Sequence, residues 1–527
     1  MSSSPSLPDN MDQEMRAFVE SLDERMTSED VATLEACMEC RNCGQACNWY
    51  LTTDDEDLHP QHKLEFIRQV YRRYLTIEGK LGSKLNIHET PTSEDLRENM
   101  EYYWKCTACG RCTLSCPQGL SVRRIVRIAR KAFVDAGLAQ ENDTIDSIIE
   151  NTEEYRHSFG LTREQVLGRI ALFLYAQELE VPVEVEDPEY LFVCPTAGNT
   201  KLPDFGTKLI QMLNAAGIDY SVTPRVVDTG TEIDHVSTHE GLTRELLLEW
   251  EQEAERLGAD KVLVMECGCD TRTMNAEADD TLGRPFKFPF VSIDTVLLDA
   301  IENGDLPVEP VDDRITMHDP CYVTRLSGRG EMERDLLNAV TTNFVEMQPN
   351  GEENYCCNAG AGPMRIPEYE DLRLQASELK ANQIADTGAD RVVTPCAICN
   401  LSLTQTTEEY DLASEDERMV RMMYEIVYEA VSAGLRKRGE MSRVTLPAAL
   451  QDVDETYFHE HSAQGFLTDL VTQEKFDTVR NWLRRDDIVD RFKQNNPEVA
   501  HRVDEILEAD PGSVDPQPGR PGELAWT

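Results

Sequence analysis

Two four-cysteine runs stand near the start of the chain, Cys37-x2-Cys40-x2-Cys43-x3-Cys47 and Cys106-x2-Cys109-x2-Cys112-x3-Cys116-Pro117. Each is the bacterial-type spacing of ligands for a [4Fe–4S] cluster. Such a run constrains the fold strongly, because its loop must close around one small object before the flanking chain can pack. Zinc is the usual alternative for a paired CxxC, but two complete four-cysteine sets, followed by Pro117 and by Asn48, argue against it. In the ferredoxin pattern the fourth cysteine crosses over. Cys37, Cys40, Cys43 and Cys116 then hold one cluster, and Cys106, Cys109, Cys112 and Cys47 hold the other.

Fifty-eight residues separate Cys47 from Cys106, too many for a compact ferredoxin of short strands. The spacing predicts a helical module, with one helix over residues 65–81 between the sets and another over residues 121–136 after Pro117. The second carries Val122, Ile125, Val126 and Ala129 on one face. Its other face is basic, with Arg123, Arg127, Arg130 and Lys131, and is expected to be solvated or to meet an acidic partner. Residues before about 30 are polar and expected to be loosely ordered.

From about residue 188 short apolar strands alternate with helical stretches, and the pattern repeats. Gly258-Ala259-Asp260-Lys261-Val262 precedes Cys267 much as Gly388-Ala389-Asp390-Arg391-Val392 precedes Cys396, and Cys194–Cys269 and Cys321–Cys396 are each separated by 75 positions. Two related α/β units follow, each with a mostly parallel sheet covered by helices. Ligands in such units sit beyond the carboxyl ends of strands, where Cys194, Cys267, Cys321 and Cys396 fall.

The second unit carries five cysteines: Cys321, the adjacent pair Cys356-Cys357, and Cys396-Ala397-Ile398-Cys399. Adjacent cysteines do not both turn onto one tetrahedral zinc without strain, but they can reach different irons of a larger cluster. His318-Asp319-Pro320-Cys321-Tyr322, Cys356-Cys357-Asn358-Ala359-Gly360 and Pro395-Cys396-Ala397-Ile398-Cys399 together resemble the cysteine-rich (CCG) domain of heterodisulfide reductases. The order of modules is similar to the D subunit of those enzymes, or to their C and B subunits fused, over roughly residues 30–430. The resemblance implies a noncubane [4Fe–4S] cluster on Cys321, Cys356, Cys357, Cys396 and Cys399 that cleaves a disulfide. His318 then serves as a proton donor or as a hydrogen-bond donor to the cluster. Asn358 stands where the family has glycine. The first unit retains Cys194, Cys267 and Cys269 but lacks the cysteine pair, and is expected to be a scaffold closing one wall of a substrate cleft, the alternative being a modified site that uses Cys194, Cys267 and Cys269.

The fold expected is a multi-domain α+β chain. Residues 1–30 are a flexible N-terminus, 31–140 the helical two-cluster ferredoxin domain and 141–187 a helical linker. A degenerate CCG-like unit spans 188–310 and an intact one 311–431, followed by a helical extension over 432–510 and a disordered tail over 511–527.

Sixteen cysteines grouped this way read as thiolates kept reduced in a cytosol rather than as disulfides. The first residues lack the basic and apolar regions of a signal peptide. No run of apolar residues is long enough for a transmembrane segment. The expected location is therefore the cytoplasm, with any membrane attachment made through a partner protein. A net charge of −47, from 98 acidic against 51 basic residues, argues against nucleic acid and for a salt-adapted, halophilic surface.

No GxGxxG opens a βαβ unit and no Walker A motif occurs, so flavin or nicotinamide belongs to a partner. The reading is an oxidoreductase that passes electrons through two [4Fe–4S] clusters to a third centre, which reduces a disulfide or related sulfur substrate, so that a small thiol or disulfide is its partner molecule. The donor is a flavoprotein or a membrane cytochrome or quinone-linked partner. The alternative is an electron-transfer component of a flavoprotein dehydrogenase, of the glycolate oxidase or glycerol-3-phosphate dehydrogenase type, feeding quinone.

Overall fold

The computed structural model describes residues 7–8, 11–79, 90–160, 182–194, 196, 203–223, 225–265, 267–413 and 419–440. The expected extension beyond residue 440 and the tail lie outside these residues.

The N-terminal module is helical. Helices Gln13–Arg25, Pro60–Tyr74, Ser93–Trp104 and Val122–Asp135 share a core that includes Phe18, Ile67, Val70, Trp104 and Phe133. The first of these corrects the expectation of a loose N-terminus. Asp12 caps it by accepting from the Met15 N–H, and Met15, Phe18, Val19 and Leu22 are buried. Their i, i+3, i+4, i+7 spacing makes an apolar stripe inside a polar segment, and each side chain contributes about 1.5–3 kcal/mol on burial. Phe18 meets Phe133 with ring centroids 4.7 Å apart. Helix Pro60–Tyr74 begins five residues before its expected start. His59 accepts from the Gln61 N–H, and Pro60 occupies the first turn, where its missing donor costs nothing.

Two parallel sheets follow. The first has the order β2-β1-β3-β4, from β1 (Tyr190–Val193), β2 (Tyr220–Ser221), β3 (Lys261–Val264) and β4 (Phe290–Ser292). The second has the order β5-β6-β7, from β5 (Ile315–Met317), β6 (Arg391–Thr394) and β7 (Val420–Met422). Leu191 pairs with Val262 in the first, and Thr316 with Val392 in the second. These strands are covered on both faces, so they read as apolar runs rather than alternations.

One helical stretch is broken in two, and one helix crosses an expected domain boundary. Residues 371–387 form two helices, Glu370–Ala376 and Glu378–Thr387. At the break, the Ser377 hydroxyl donates to the Arg373 carbonyl and accepts from Asn358 Nδ2, competing with the helical ladder. Helix Met423–Arg438 runs through the expected boundary at 431/432. It packs on helices Pro203–Ala216 and Gly330–Val340, so it belongs to the α/β core.

Candidate metal centres

The two N-terminal loops share an unusual backbone. Glu39 and Arg41 have φ of 57° and 64°, and Ala108 and Gly110 have φ of 51° and 77°. These positions are equivalent in the two four-cysteine runs, two and four residues after the first cysteine. Left-handed conformations at matching places curl each loop into a concave nest, a shape suited to an anionic centre. The Ala108 N–H donates to Cys106 Sγ at 3.4 Å. Cys43 faces the charges of Cys37, Cys116 and Cys40. Cys47 lines one cavity with Cys106, Cys109 and Cys112. Burial pushes the Cys43 and Cys47 thiols up to about 11. As bare thiols they resist ionisation, and a metal would take them as thiolates while displacing the protons. The donor set and the nests fit iron–sulfur clusters.

In the second α/β unit, β5 leads into His318-Asp319-Pro320-Cys321, and Cys321 opens the short helix Cys321–Arg325. The loop carrying Cys356 and Cys357 turns at Asn358, with φ of 66°. Asparagine adopts this region more readily than most residues, which explains how it replaces glycine there. Beyond β6, Cys396 caps helix Ala397–Glu409, whose first turn holds Cys399. Cys357 and Cys399 lie Sγ to Sγ at 3.2 Å. With His318 they place three ligand atoms within 4.8 Å of one another. Cys356, Cys357, Cys396 and Cys399 are buried, whereas Cys321 is partly exposed.

A polar chain orients His318. The buried Lys380 Nζ donates to Asn354 Oδ1 at 2.7 Å, which fixes the amide so that Nδ2 donates to the Asp319 carbonyl at 3.0 Å and to His318 Nδ1 at 3.3 Å. Nδ1 is therefore the acceptor and Nε2 carries the hydrogen. Nε2 is buried with no oxygen or nitrogen partner among the described residues, and it faces the Cys357 side. Burial, then the Lys380 charge, hold His318 below its ordinary value, so the imidazole is neutral. An orphaned N–H aimed at thiolate sulfur is a second feature that fits a metal–sulfur centre here.

The thiol sets adjoin. The Cys356 thiol donates to Thr107 Oγ1 at 3.4 Å, and Cys356 lines one cavity with Cys106, Cys109 and Cys112. Around that junction the Tyr322 hydroxyl donates to the Thr107 carbonyl at 3.0 Å, and Arg325 Nη1 donates to the Cys109 carbonyl at 3.2 Å. Asn48 Nδ2 donates to the Cys356 carbonyl at 3.2 Å and to Asn358 Oδ1 at 3.4 Å. The residue that replaces proline after the first run thus meets the residue that replaces glycine after the cysteine pair.

The basic face of helix Val122–Asp135 is neither solvated nor open to a partner. Arg127 pairs with Asp234 at 2.9 Å and Glu277 at 3.0 Å, Arg123 with Glu277 at 3.3 Å, and Lys131 with Glu240 at 2.9 Å. Arg130, fully buried, donates to the carbonyls of Tyr103, Cys106, His235 and Ala361. The stripe fastens the helical module to both α/β units. Thr107, Asn354, Lys380 and Arg130 carry no spacing signal of their own, so nothing in the sequence marks them as site residues.

The first unit's Cys267 lies 3.5 Å from Cys396, Sγ to Sγ. Burial and the negative charge of Asp270 push the Cys194 thiol up.

A family model described as a 4Fe-4S dicluster domain matches residues 33–120, and one described as a cysteine-rich domain (CCG) matches residues 315–404. An Hdr-like menaquinol oxidoreductase iron-sulfur subunit 2 of Archaeoglobus fulgidus is 28% identical over 72% of this chain and 77% of the relative. The D subunit of the heterodisulfide reductase of Methanosarcina barkeri is 25% identical over 77% of this chain and 96% of the relative. The chain resembles the D subunit of heterodisulfide reductases. It is an iron–sulfur protein with two [4Fe–4S] clusters in its N-terminal module and a cysteine-rich domain after it. Among the described residues no helix is long and apolar enough to cross a membrane.

Proposed function

We propose that electrons pass from the two N-terminal clusters to a noncubane iron–sulfur centre held by Cys321, Cys356, Cys357, Cys396 and Cys399, where a sulfur–sulfur bond is reduced. The observation that supports this most is the contact of Cys356 with Thr107, which brings a thiol of the cysteine-rich domain against the second four-cysteine loop, where it lines one cavity with Cys106, Cys109 and Cys112. The centre, when bound, supplies electrons one at a time to a bond that needs two. The overall reaction is RS–SR plus two electrons and two protons to two thiols.

The protein's own residues orient and exclude. Cys321, the one partly exposed thiol of the five, marks the side from which a disulfide or persulfide approaches. His318 is a neutral N–H donor toward the Cys357 side and stabilises negative charge on sulfur as electrons arrive. Asp319, bound by Arg334 at 2.8 Å and by the Gly351 N–H at 2.8 Å, holds the loop before Cys321 in place. A flavoprotein, cytochrome or other quinone-linked partner supplies the electrons.

A second reading is favoured by one observation: relatives in Archaeoglobus bear the name menaquinol oxidoreductase iron-sulfur subunit. The chain would then exchange electrons with quinone through a partner and turn over no disulfide. The two readings separate in an anaerobic assay of the reduced holoprotein with a panel of disulfides and persulfides. Turnover that Cys357→Ser abolishes, while the N-terminal cluster spectra persist, supports the first. Absence of turnover across the panel, with quinone analogues reduced in the presence of the partner, supports the second.

A further inference from the structure

We infer that Cys267, from the degenerate first α/β unit, is an additional thiolate ligand of the metal centre in the second unit. The inference rests on the proposed metal centre at Cys321, Cys356, Cys357, Cys396 and Cys399, and assigns it a ligand from across the seam between the two sheets.

Two thiolates bound tetrahedrally to one metal at about 2.3 Å lie roughly 3.8 Å apart. Cys357 and Cys399 lie 3.2 Å apart, and Cys267 and Cys396 lie 3.5 Å apart. By the spacing that makes the first pair a candidate ligand pair, the second is one also. Both members of the second pair are almost fully buried, at 1% exposure each.

The local chain is built for this approach. Cys267 follows the carboxyl end of β3, and Cys396 follows the carboxyl end of β6, so the open ends of the two sheets face each other at this point. Gly268 lets the turn come close: a Cβ there would lie 3.1 Å from Pro320 Cβ and 3.8 Å from Cys396 Sγ. Any larger residue would press on the segment that carries Cys321. Cys269, from the same turn, is buried in one cluster with Cys267 and Cys396. A second thiol there makes a packing coincidence of small apolar side chains a poorer account of the turn. Asp270 is also buried, with its carboxylate accepting from the Thr231 hydroxyl at 2.9 Å. It stands where an outer hydrogen-bond partner of a ligand would stand. The first unit, having lost the cysteine pair that its own cluster would need, keeps the thiols that reach its neighbour's.

The test uses the full chain, loaded anaerobically, with Cys267→Ala beside Cys357→Ala. Readouts are iron and sulfide content, the Mössbauer spectrum and the paramagnetic signal of the third centre. The expected result is that Cys357→Ala lowers iron from about twelve to about eight per chain, while Cys267→Ala changes the g-values and potential of the third centre and spares the two N-terminal clusters. If Cys357→Ala loses iron but Cys267→Ala leaves content, spectrum and potential unchanged, the cross-unit ligand is overturned and the metal centre stands. If Cys357→Ala keeps all its iron, the metal-centre reading falls and this inference with it. Selenocysteine enriched in selenium-77 at position 267 keeps the native shape should the alanine variant misfold. Hyperfine splitting of the third centre's signal then supports ligation, and its absence refutes it.

Discussion

Lys380 is buried, and among the described residues its amine touches amides and a thioether: Asn354 Oδ1, Gln383 Oε1 and Met347 Sδ. Desolvation pushes it down to about 7, against the opposing pull of Asp319 and of Cys357. Below that value it is a cation held next to the His318 chain; above it, a neutral amine. An electron added to the neighbouring centre is therefore offset by a proton on Lys380 only when the pH is near or below the group's own value. The third centre's reduction potential should fall as pH rises through about 7, with a slope of at most about 59 mV per unit for a one-electron step. Lys380→Met removes both the cation and the titration. It should give a lower potential at pH 6 and a flat profile from pH 6 to 8, read by redox titration. A profile in the variant as steep as in the native protein would place the proton elsewhere. Asn354→Leu should also leave Lys380 in place while releasing His318, which separates the charge of the lysine from the orientation of the imidazole.

At the scale of elements, the strands and most helices are legible in the sequence because burial on both faces leaves apolar runs, and because the Gly-Ala-Asp turn occurs twice. The thiol sets are legible because metal ligands require fixed spacings. What the sequence hides is anything carried by pairs of residues distant along the chain. The helix Gln13–Arg25 escapes notice because its four buried apolar residues are diluted by acids. Arg127 reads as a surface charge because Asp234 and Glu277 lie more than a hundred residues away. Asn48 and Asn358 each read as a minor departure from pattern, and their contact shows them to be one feature shared by two loops. Each departure is accounted for by the other. Asn48→Ala and Asn358→Gly should each destabilise the holoprotein by about 1 kcal/mol, the usual net worth of a hydrogen bond. The double variant should lose less than the sum, by about 0.5–1 kcal/mol, in a cycle measured by anaerobic urea unfolding. Strict additivity would mean that the two amides act separately, Asn48 on the Cys356 carbonyl and Asn358 on the Ala376 carbonyl.

Across the whole molecule, charge is distributed unevenly between inside and outside. Among the described residues nine basic side chains are buried, including Arg130, Arg272 and Lys380, together with twelve acidic ones. Burial thus removes similar numbers of each sign and leaves the acidic excess of the described residues on the surface. Exposed pairs such as Arg72–Glu35 and Arg97–Glu14 offset little of it, since surface ion pairs contribute about 0–1 kcal/mol each. Repulsion among the remaining acids acts over the Debye length, about 10 Å at 0.1 M salt and about 3 Å at 1 M. The buried pair that joins the helical module to the first α/β unit, Arg127–Asp234, is shielded from solvent and should respond little to salt. Dilute buffer should therefore loosen the surface before it separates the modules. The melting temperature should rise between 0.1 and 2 M potassium chloride, with the coupling between the second N-terminal cluster and the cysteine-rich domain retained at the low end. A melting temperature flat over that range would remove salt adaptation as the reason for the −47 charge. Loss of inter-cluster coupling before any loss of helix would show instead that the acidic surface strains the module junction itself.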